Sequence, residues 1–273
     1  MMALGMIVPN KKNEKPCEVA VNASVRKVGD VDVVDLGGDE KLELCWCSPG
    51  AFMMGSPMNE AGRTADETQH SVTMTKGFWM GKYEVTQGQW ERVIGNNPAS
   101  FKGVRNPVEQ VSWDDCQEFI LKLNVLVPGR GFRLPTEAEW EYACRAGTAT
   151  VFHYGNDLDA SMANFDGRYP YGYGKKGQYR KMTTPVGSFR PNEWGLYDMH
   201  GNVWEWCQDW YGDYPAGSET DPTGPGSGSY RVIRGGGWAD YARFCRSADR
   251  ISYAQSSCDD ALGMRLVMVR SNP

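Results

Sequence analysis

The run from Arg234 to Leu266, RGGGWADYARFCRSADRISYAQSSCDDALGMRL, carries the residues whose types could do chemistry. Asp240, Tyr241, Phe244, Asp249, Ser252, Tyr253, Asp259 and Asp260 crowd its middle. They follow neither a period of about 3.6 nor one of about 2.0, so no single helix or strand face accounts for them. Carboxylates, hydroxyls and aromatic rings of this kind make contacts. Rings give contact area at low entropic cost, and small polar side chains adapt. Three readings compete: a catalytic site, a binding surface, and an exposed loop with no partner.

Other candidates are weaker. His70, His153 and His200 lie far apart and show no HxxxH spacing, so each reads as a loop residue and not a ligand. GPGSGS at 224–229 leads into a strand rather than a helix and reads as a turn, not a phosphate cradle. Asp114 and Asp115, like Glu137 and Glu139, fall in helix first turns, where the dipole explains them. The eight cysteines include no CxxC pair. Cys45 and Cys47 are too close for common zinc spacing. Cys116, Cys144 and Cys207 sit in apolar or aromatic company and read as small core residues, which leaves one or two disulfides open.

The elements that must position this run are legible from caps and breakers. Thr86 caps a helix over QGQWERVIG. Ser112 caps a second, with Asp114 and Asp115 in its first turn and Cys116, Phe119, Ile120 and Leu123 on its apolar face. Thr136 and Glu139 form a capping box for a third, bracketed by Pro135 and Gly147. Strand-like runs separated by Gly, Asp and Pro fill Val31 to Val72, and FWMGKYEVT, YRVIRGGGW and GMRLVMVR read as further strands. After about residue 148 the chain is mostly irregular, so turns, side chains, water or ions must satisfy its backbone. Residues 1–30 read as an N-terminal arm and 31–273 as a single α+β domain: two main helices, short strands and extensive loops.

With 273 residues, 41% of them hydrophobic, the chain can bury a globular core. A net charge of −5 argues against a nucleic-acid partner, and no run of apolar residues is long enough for a membrane span.

MGKYEVTQGQW, NPVEQVSWDDC, GFRLPTEAEWEYACRAG, TTPVGSFRPNEWGLYDMHGNVWEWCQDW, RVIRGGGW and LGMRL resemble, in order and spacing, the formylglycine-generating, sulfatase-modifying domain family over roughly residues 40–269. The resemblance implies a C-type lectin-like fold. It also implies an oxidase that activates oxygen with copper at two cysteines. These positions fall on Asp240 and Cys245; the turn serine falls on Gly237 and a tyrosine on Phe244. A carboxylate cannot replace a thiolate in cuprous chemistry, so no copper is expected and Cys245 reads as a plain buried thiol. Asp198, Gly201, Val203 and Glu205 fall on the family's calcium site; two carboxylates and two carbonyls are hard-oxygen ligands. The competing reading bonds Asp198 and Glu205 to loop amides or arginines.

The run is also similar to the variable proteins of diversity-generating retroelements, which mutate adenines in a copied template. Fixed positions of that pattern match RGGGW, Ala242-Arg243, Cys245 to Ala248, Arg250 and GMRL. Variable ones fall on Ala239, Asp240, Tyr241, Phe244, Asp249, Ile251, Ser252, Tyr253, Ser257, Cys258, Asp259 and Asp260. Each of these residues is reachable from an AAC codon by changing its adenines. The expectation is a non-catalytic ligand-binding protein with a variable region at about 237–261, in which Trp238 joins the displayed positions. Trp238, Arg246, Arg250, Leu262 and Arg265 anchor the backbone and the variable side chains point outward. The partner expected is a macromolecule, protein or glycan. The alternatives are a formylglycine-generating-type oxidase and a calcium-dependent lectin. Surface display is expected, with export signal and lipid anchor (Cys17 being the candidate) outside what this chain makes visible.

Overall fold

A computed structural model describes residues 26–269. Most of the N-terminal arm, with Cys17, lies outside the described residues. The elements run β1 (Val31–Gly37), β2 (Glu40–Cys47), β3 (Gly50–Met54), β4 (His70–Met74), β5 (Phe78–Gly81), α1 (Gln87–Ile94), α2 (Trp113–Leu126), β6 (Phe132–Arg133), α3 (Glu137–Arg145), β7 (Trp204–Trp210), β8 (Glu219–Thr220), β9 (Arg231–Arg234), a 3-10 turn (Ala242–Cys245), β10 (Ile251–Tyr253), β11 (Leu262–Gly263) and β12 (Val267–Met268).

The three helices begin where their caps predict. Thr86 with Gln89, Ser112 with Asp115, and Thr136 with Glu139 each close a reciprocal capping box. These satisfy amide donors that the first turn leaves without a partner. Cys116, Phe119, Ile120 and Leu123 of α2 are buried, as its apolar stripe requires. Every residue of α3 is buried.

The strands form three sheets. A five-stranded sheet has the order β1-β2-β5-β12-β6; a four-stranded sheet, β10-β9-β7-β11; a three-stranded sheet, β3-β4-β8. The four-stranded sheet carries the C-terminal run, because β9 enters it and β10 and β11 are cut from it. One core cluster packs α1 and α2 against the five- and four-stranded sheets, with Trp90 stacked on Phe119 at 5.0 Å. A second surrounds α3. Trp113 Nε1 donates to Cys207 O and Trp206 Nε1 to Val111 O, both at 3.0 Å, which locks the start of α2 to β7.

Between α3 and β7, residues 146–203 form no named helix or strand. Buried amide side chains hold this stretch. Asn192 Oδ1 accepts from Trp194 N and Leu196 N, while its Nδ2 donates to Ala143 O. Asn202 Oδ1 accepts from Asn164 Nδ2 and Thr184 N. An irregular segment is stable when its backbone groups are paired this way. The disulfides left open do not form among the described residues: Cys45, Cys47, Cys116, Cys144, Cys207, Cys245 and Cys258 are free thiols, and all but Cys258 are buried.

Candidate binding surface

Four buried arginines hold the C-terminal run to the scaffold. Arg234, at the end of β9, donates to the carbonyls of Ala248 (2.9 Å), Asp249 (2.6 Å) and Ser247 (2.9 Å) and pairs with Glu141. Arg246 meets Glu67 Oε1 and Oε2 at 2.7 and 2.8 Å and Glu60 Oε1 at 2.7 Å. Arg250 grips Glu137 through two bonds of 2.7 and 2.8 Å. Arg265 meets Glu205 Oε1 at 2.7 Å. Bidentate pairs of this kind fix orientation as well as position. Glu137 and Glu141 sit four apart on α3, so one helix face receives two of the clamps. The first-turn dipole is therefore only part of why Glu137 is acidic.

Glycine shapes the turn that follows. Gly235 and Gly236 have φ of 100° and 78°, and a Cβ on Gly236 would stand 2.6 Å from Cys245 Sγ. Main-chain bonds then tie the run down: Asp166 N donates to Asp240 O (2.8 Å), Ala242 N to Tyr169 O (3.1 Å), Trp238 N to Asn202 O (2.9 Å) and Gln110 N to Asp259 O (2.9 Å). Bonds through the backbone survive side-chain replacement.

Ala239, Tyr241, Tyr253, Cys258 and Asp259 are exposed. Trp238, Asp240, Phe244, Ile251, Ser252, Ser257 and Asp260 are half-buried, with Phe244 and Ile251 resting on the main core. Asp249 departs from the outward-pointing expectation. It is 4% exposed and its Oδ1 accepts from Arg246 Nη2 at 2.9 Å. Burial pushes its carboxyl up to about 7 despite the guanidinium. Its place three residues after Arg246 turns it inward to share that cation.

Two loops that sequence reasoning left out extend the surface. Tyr169 stacks on Tyr241 at 4.0 Å, Phe101 meets Trp238 edge-on at 5.2 Å, and Tyr179 lies 6.0 Å from Trp238. Arg168 stands over Tyr179 and Arg243 over Phe244, at 4.6 and 4.5 Å. The density of tyrosine and glycine after residue 148 was the available signal, but composition does not pair rings.

At the positions the family uses for catalysis, Asp240 Oδ2 accepts from Trp204 Nε1 at 2.8 Å and from Gly237 N at 2.9 Å. Burial, helped by the charges of Asp240 and Asp249, pushes the Cys245 thiol well above its ordinary range. One protonated thiol beside an engaged carboxylate does not fit a cuprous ion, which wants thiolates.

The residues expected to hold calcium come together, with a difference. Asp198 is buried, and its Oδ2 accepts from Gly187 N at 2.6 Å while its Oδ1 has no partner. That oxygen fits a hard cation. Burial pushes its carboxyl up to about 6. Glu205 is occupied: Arg265 contacts both its oxygens and Trp140 Nε1 donates to Oε2 at 2.7 Å. Gly201 N donates to Gly235 O and Val203 N to Glu84 Oε1. No three His, Cys, Asp or Glu side chains among the described residues form a metal-holding group, so a cation here would depend on backbone carbonyls.

His153 and His200, distant in sequence, stack with ring centroids 4.7 Å apart. His200 Nδ1 lies 2.7 Å from Cys245 O, and its Nε2 receives His153 N at 3.1 Å. A carbonyl only accepts and an amide only donates, so the ring is neutral with its proton on Nδ1. Burial holds its pKa down at about 4. His200 thus pins the 3-10 turn from below.

Sheets, helices and loops of this order define an α+β domain with a C-type lectin-like fold. The sulfatase-modifying factor enzyme 1-like domain family matches residues 38–270, and the chain belongs to it. It is 38% identical over 254 residues to the formylglycine-generating enzyme of Streptomyces coelicolor, covering 89% of this chain and 72% of that one. Among solved structures it is similar to Treponema denticola variable protein 1, with a TM-score of 0.76 at 28% identity, covering 88% of this chain and 99% of that one. PvdO from Pseudomonas aeruginosa superposes with a TM-score of 0.77 at 31% identity, covering 89% and 99%.

Proposed function

We propose that the chain is a non-catalytic ligand-binding protein, and that Trp238 to Tyr241, Phe244, Ile251 to Tyr253 and Ser257 to Asp260 form a face diversified by a retroelement. The observation that carries this reading is the division of labour within one run. Arg234, Arg246, Arg250 and Arg265 are buried and paired, while the displayed positions between them, Asp249 excepted, are exposed or partly exposed. A face that accepts many side chains needs a scaffold that does not depend on them. Similarity to a variable protein supports it further. The partner is a macromolecule, protein or glycan, and the face is displayed outside the cytoplasm.

The rival is an oxidase using Cys245, favoured by the similarity to a formylglycine-generating enzyme. Incubation with copper and a Cys-x-Pro-x-Arg peptide separates the two. The peptide thiol is expected to survive; aldehyde formation would overturn the binding reading. Sequencing copies of the gene from one population is the complementary test, with substitutions expected only at the displayed positions.

Within the same reading, calcium is proposed as a structural ion at Asp198, Gly201, Val203 and Glu205, supported by the unpartnered Asp198 Oδ1. Bound there, it would neutralise buried carboxylates. Addition of calcium after chelation should then raise Tm, and Asp198→Asn should abolish the rise. An unchanged Tm would remove calcium from the proposal.

A further inference from the structure

The displayed face carries acids with no ion pair of their own. In the scaffold, Glu137, Glu141, Glu67 and Glu205 each have an arginine. On the face, Asp240, Asp259 and Asp260 have no ion-pair partner among the described residues. They act on one another instead. Burial first, and then the charge of Asp259, raises the carboxyls of both Asp240 and Asp260. Burial and the same acids raise the phenol of Tyr253.

Two further observations bear on the charge of this face. Glu109 is fully buried and its Oε1 accepts from Phe101 N at 2.7 Å, but its Oε2 has no partner. Burial raises its carboxyl and Asp260 adds to the shift, against backbone hydrogen bonds from Ser100 and Phe101 and the charge of Lys102. Phe101 in turn supports the Trp238 ring. The faces of Trp238 and Tyr179 lie near-parallel, 17° apart. Aromatic faces carry negative charge in their quadrupole and attract guanidinium and ammonium groups. Unpaired carboxylates beside aromatic rings complement one kind of head group, a planar or compact cation with several N–H donors.

Resting on the display reading above, we propose that this face takes a basic segment of a partner protein, a Lys or Arg head group lodging against the Trp238 and Tyr253 rings and the carboxylates of Asp240, Asp259 and Asp260. The neutral Cys258, Ser252 and Ser257 leave room for the rest of the segment. Arg243 over Tyr241, and Arg168 and Lys181 over Tyr179, would repel a second cation on their side of Trp238 and so fix the direction in which the segment lies.

N-acetyl-arginine amide and its uncharged isostere N-acetyl-citrulline amide test this on the full chain, read from the indole N–H resonances of Trp238 and Trp204. Arginine amide is expected to shift both in a saturable, salt-sensitive way, and citrulline amide to shift neither. Asp259→Asn with Asp260→Asn keeps shape and hydrogen-bond acceptors, so the fold is retained. It should weaken arginine amide about three- to tenfold, as for losing two exposed charge contacts. Equal shifts from citrulline amide, no shift from either probe, or unchanged affinity in the double variant would overturn the cation assignment. None of these results touches the display reading, since a diversified face can be matched to other chemistry; that reading stands or falls on the copper assay and the gene copies.

Discussion

Arg246→Met removes the cation on which three carboxylates depend. Wild-type Arg246 is fully buried and donates to Glu60, to both oxygens of Glu67, to Asp249 and to the carbonyls of Gly62 and Arg243. Methionine fills similar volume but donates nothing. Glu67, itself fully buried, keeps its bonds from Thr64 N and Oγ1 and from the Ser56 side chain. Stranding one buried charge costs about 3–5 kcal/mol, and here protonation of the remaining acids limits the excess. For a chain of this size that is a fall in Tm of roughly 6–20 °C. The pH profile adds a signature. Burial opposes ionisation of Glu67, but hydrogen bonds and the charge of Arg246 win and hold its carboxyl below the usual range. A depressed carboxyl contributes stability above its unfolded pKa that is lost as pH falls through the folded one. The gap between wild type and Arg246→Met should therefore narrow below about pH 4.5. Urea unfolding at pH 7 and pH 4 measures both quantities. A loss at pH 7 of less than about 1 kcal/mol would refute the claim that this arginine holds the run in place.

Other expectations follow from the same contacts. Asp249→Ala should cost about 2 kcal/mol or more and Asp259→Asn less than about 0.5, because the first leaves the buried Arg246 short of an acceptor while the asparagine still accepts from Ala261 N; equal costs in urea titrations would show that burial does not divide the run. In a Cys17→Ser background a water-soluble disulfide reagent should label one thiol of the native protein, Cys258, the exposed cysteine of the described set; labelling of Cys245 would show that it is accessible and reactive. Burial first, then the charge of Glu137, lifts the Asp209 carboxyl to about 8. Its stabilising neutral form is complete below the unfolded pKa and is lost as pH rises through about 8. Asp209→Asn should thus match wild type near pH 4 and exceed it at pH 8 by at least about 1 kcal/mol; a pH-independent difference would contradict the assignment.

Much of this was legible in the sequence because it is local. A capping box needs two residues three apart, so Thr86, Ser112 and Thr136 announced their helices. The fixed and free positions of the C-terminal run are set by spacing within that run. What could not be read was partner choice across long separations. Arg246 finds Glu67 179 residues away, and Arg250 finds Glu137 113 away. Asp249 was misplaced for that reason: its type suits a surface, but its spacing from a buried guanidinium turns it inward. His153 and His200 looked unrelated because nothing in their flanks signals that a loop folds one onto the other.

If the face is diversified as proposed, the arginines account for how it can vary. Hydrophobic anchors would hold the run by packing, and packing answers to every neighbouring side chain. Bidentate ion pairs to α3 and β7, with main-chain bonds between, hold it by groups that the free positions do not supply. A buried ion pair is weak evidence of net stability but strong evidence of a specified geometry once formed. On that proposal, the free positions would change what the face contacts without changing where it stands. Asp240 marks the boundary of that freedom. Its carboxylate bonds Trp204 and Gly237, so it is both a displayed acid and the closing residue of its own turn. Replacement there by asparagine keeps the acceptor and should leave the turn intact, whereas replacement by alanine removes both bonds and should loosen Trp238 to Tyr241 as a unit.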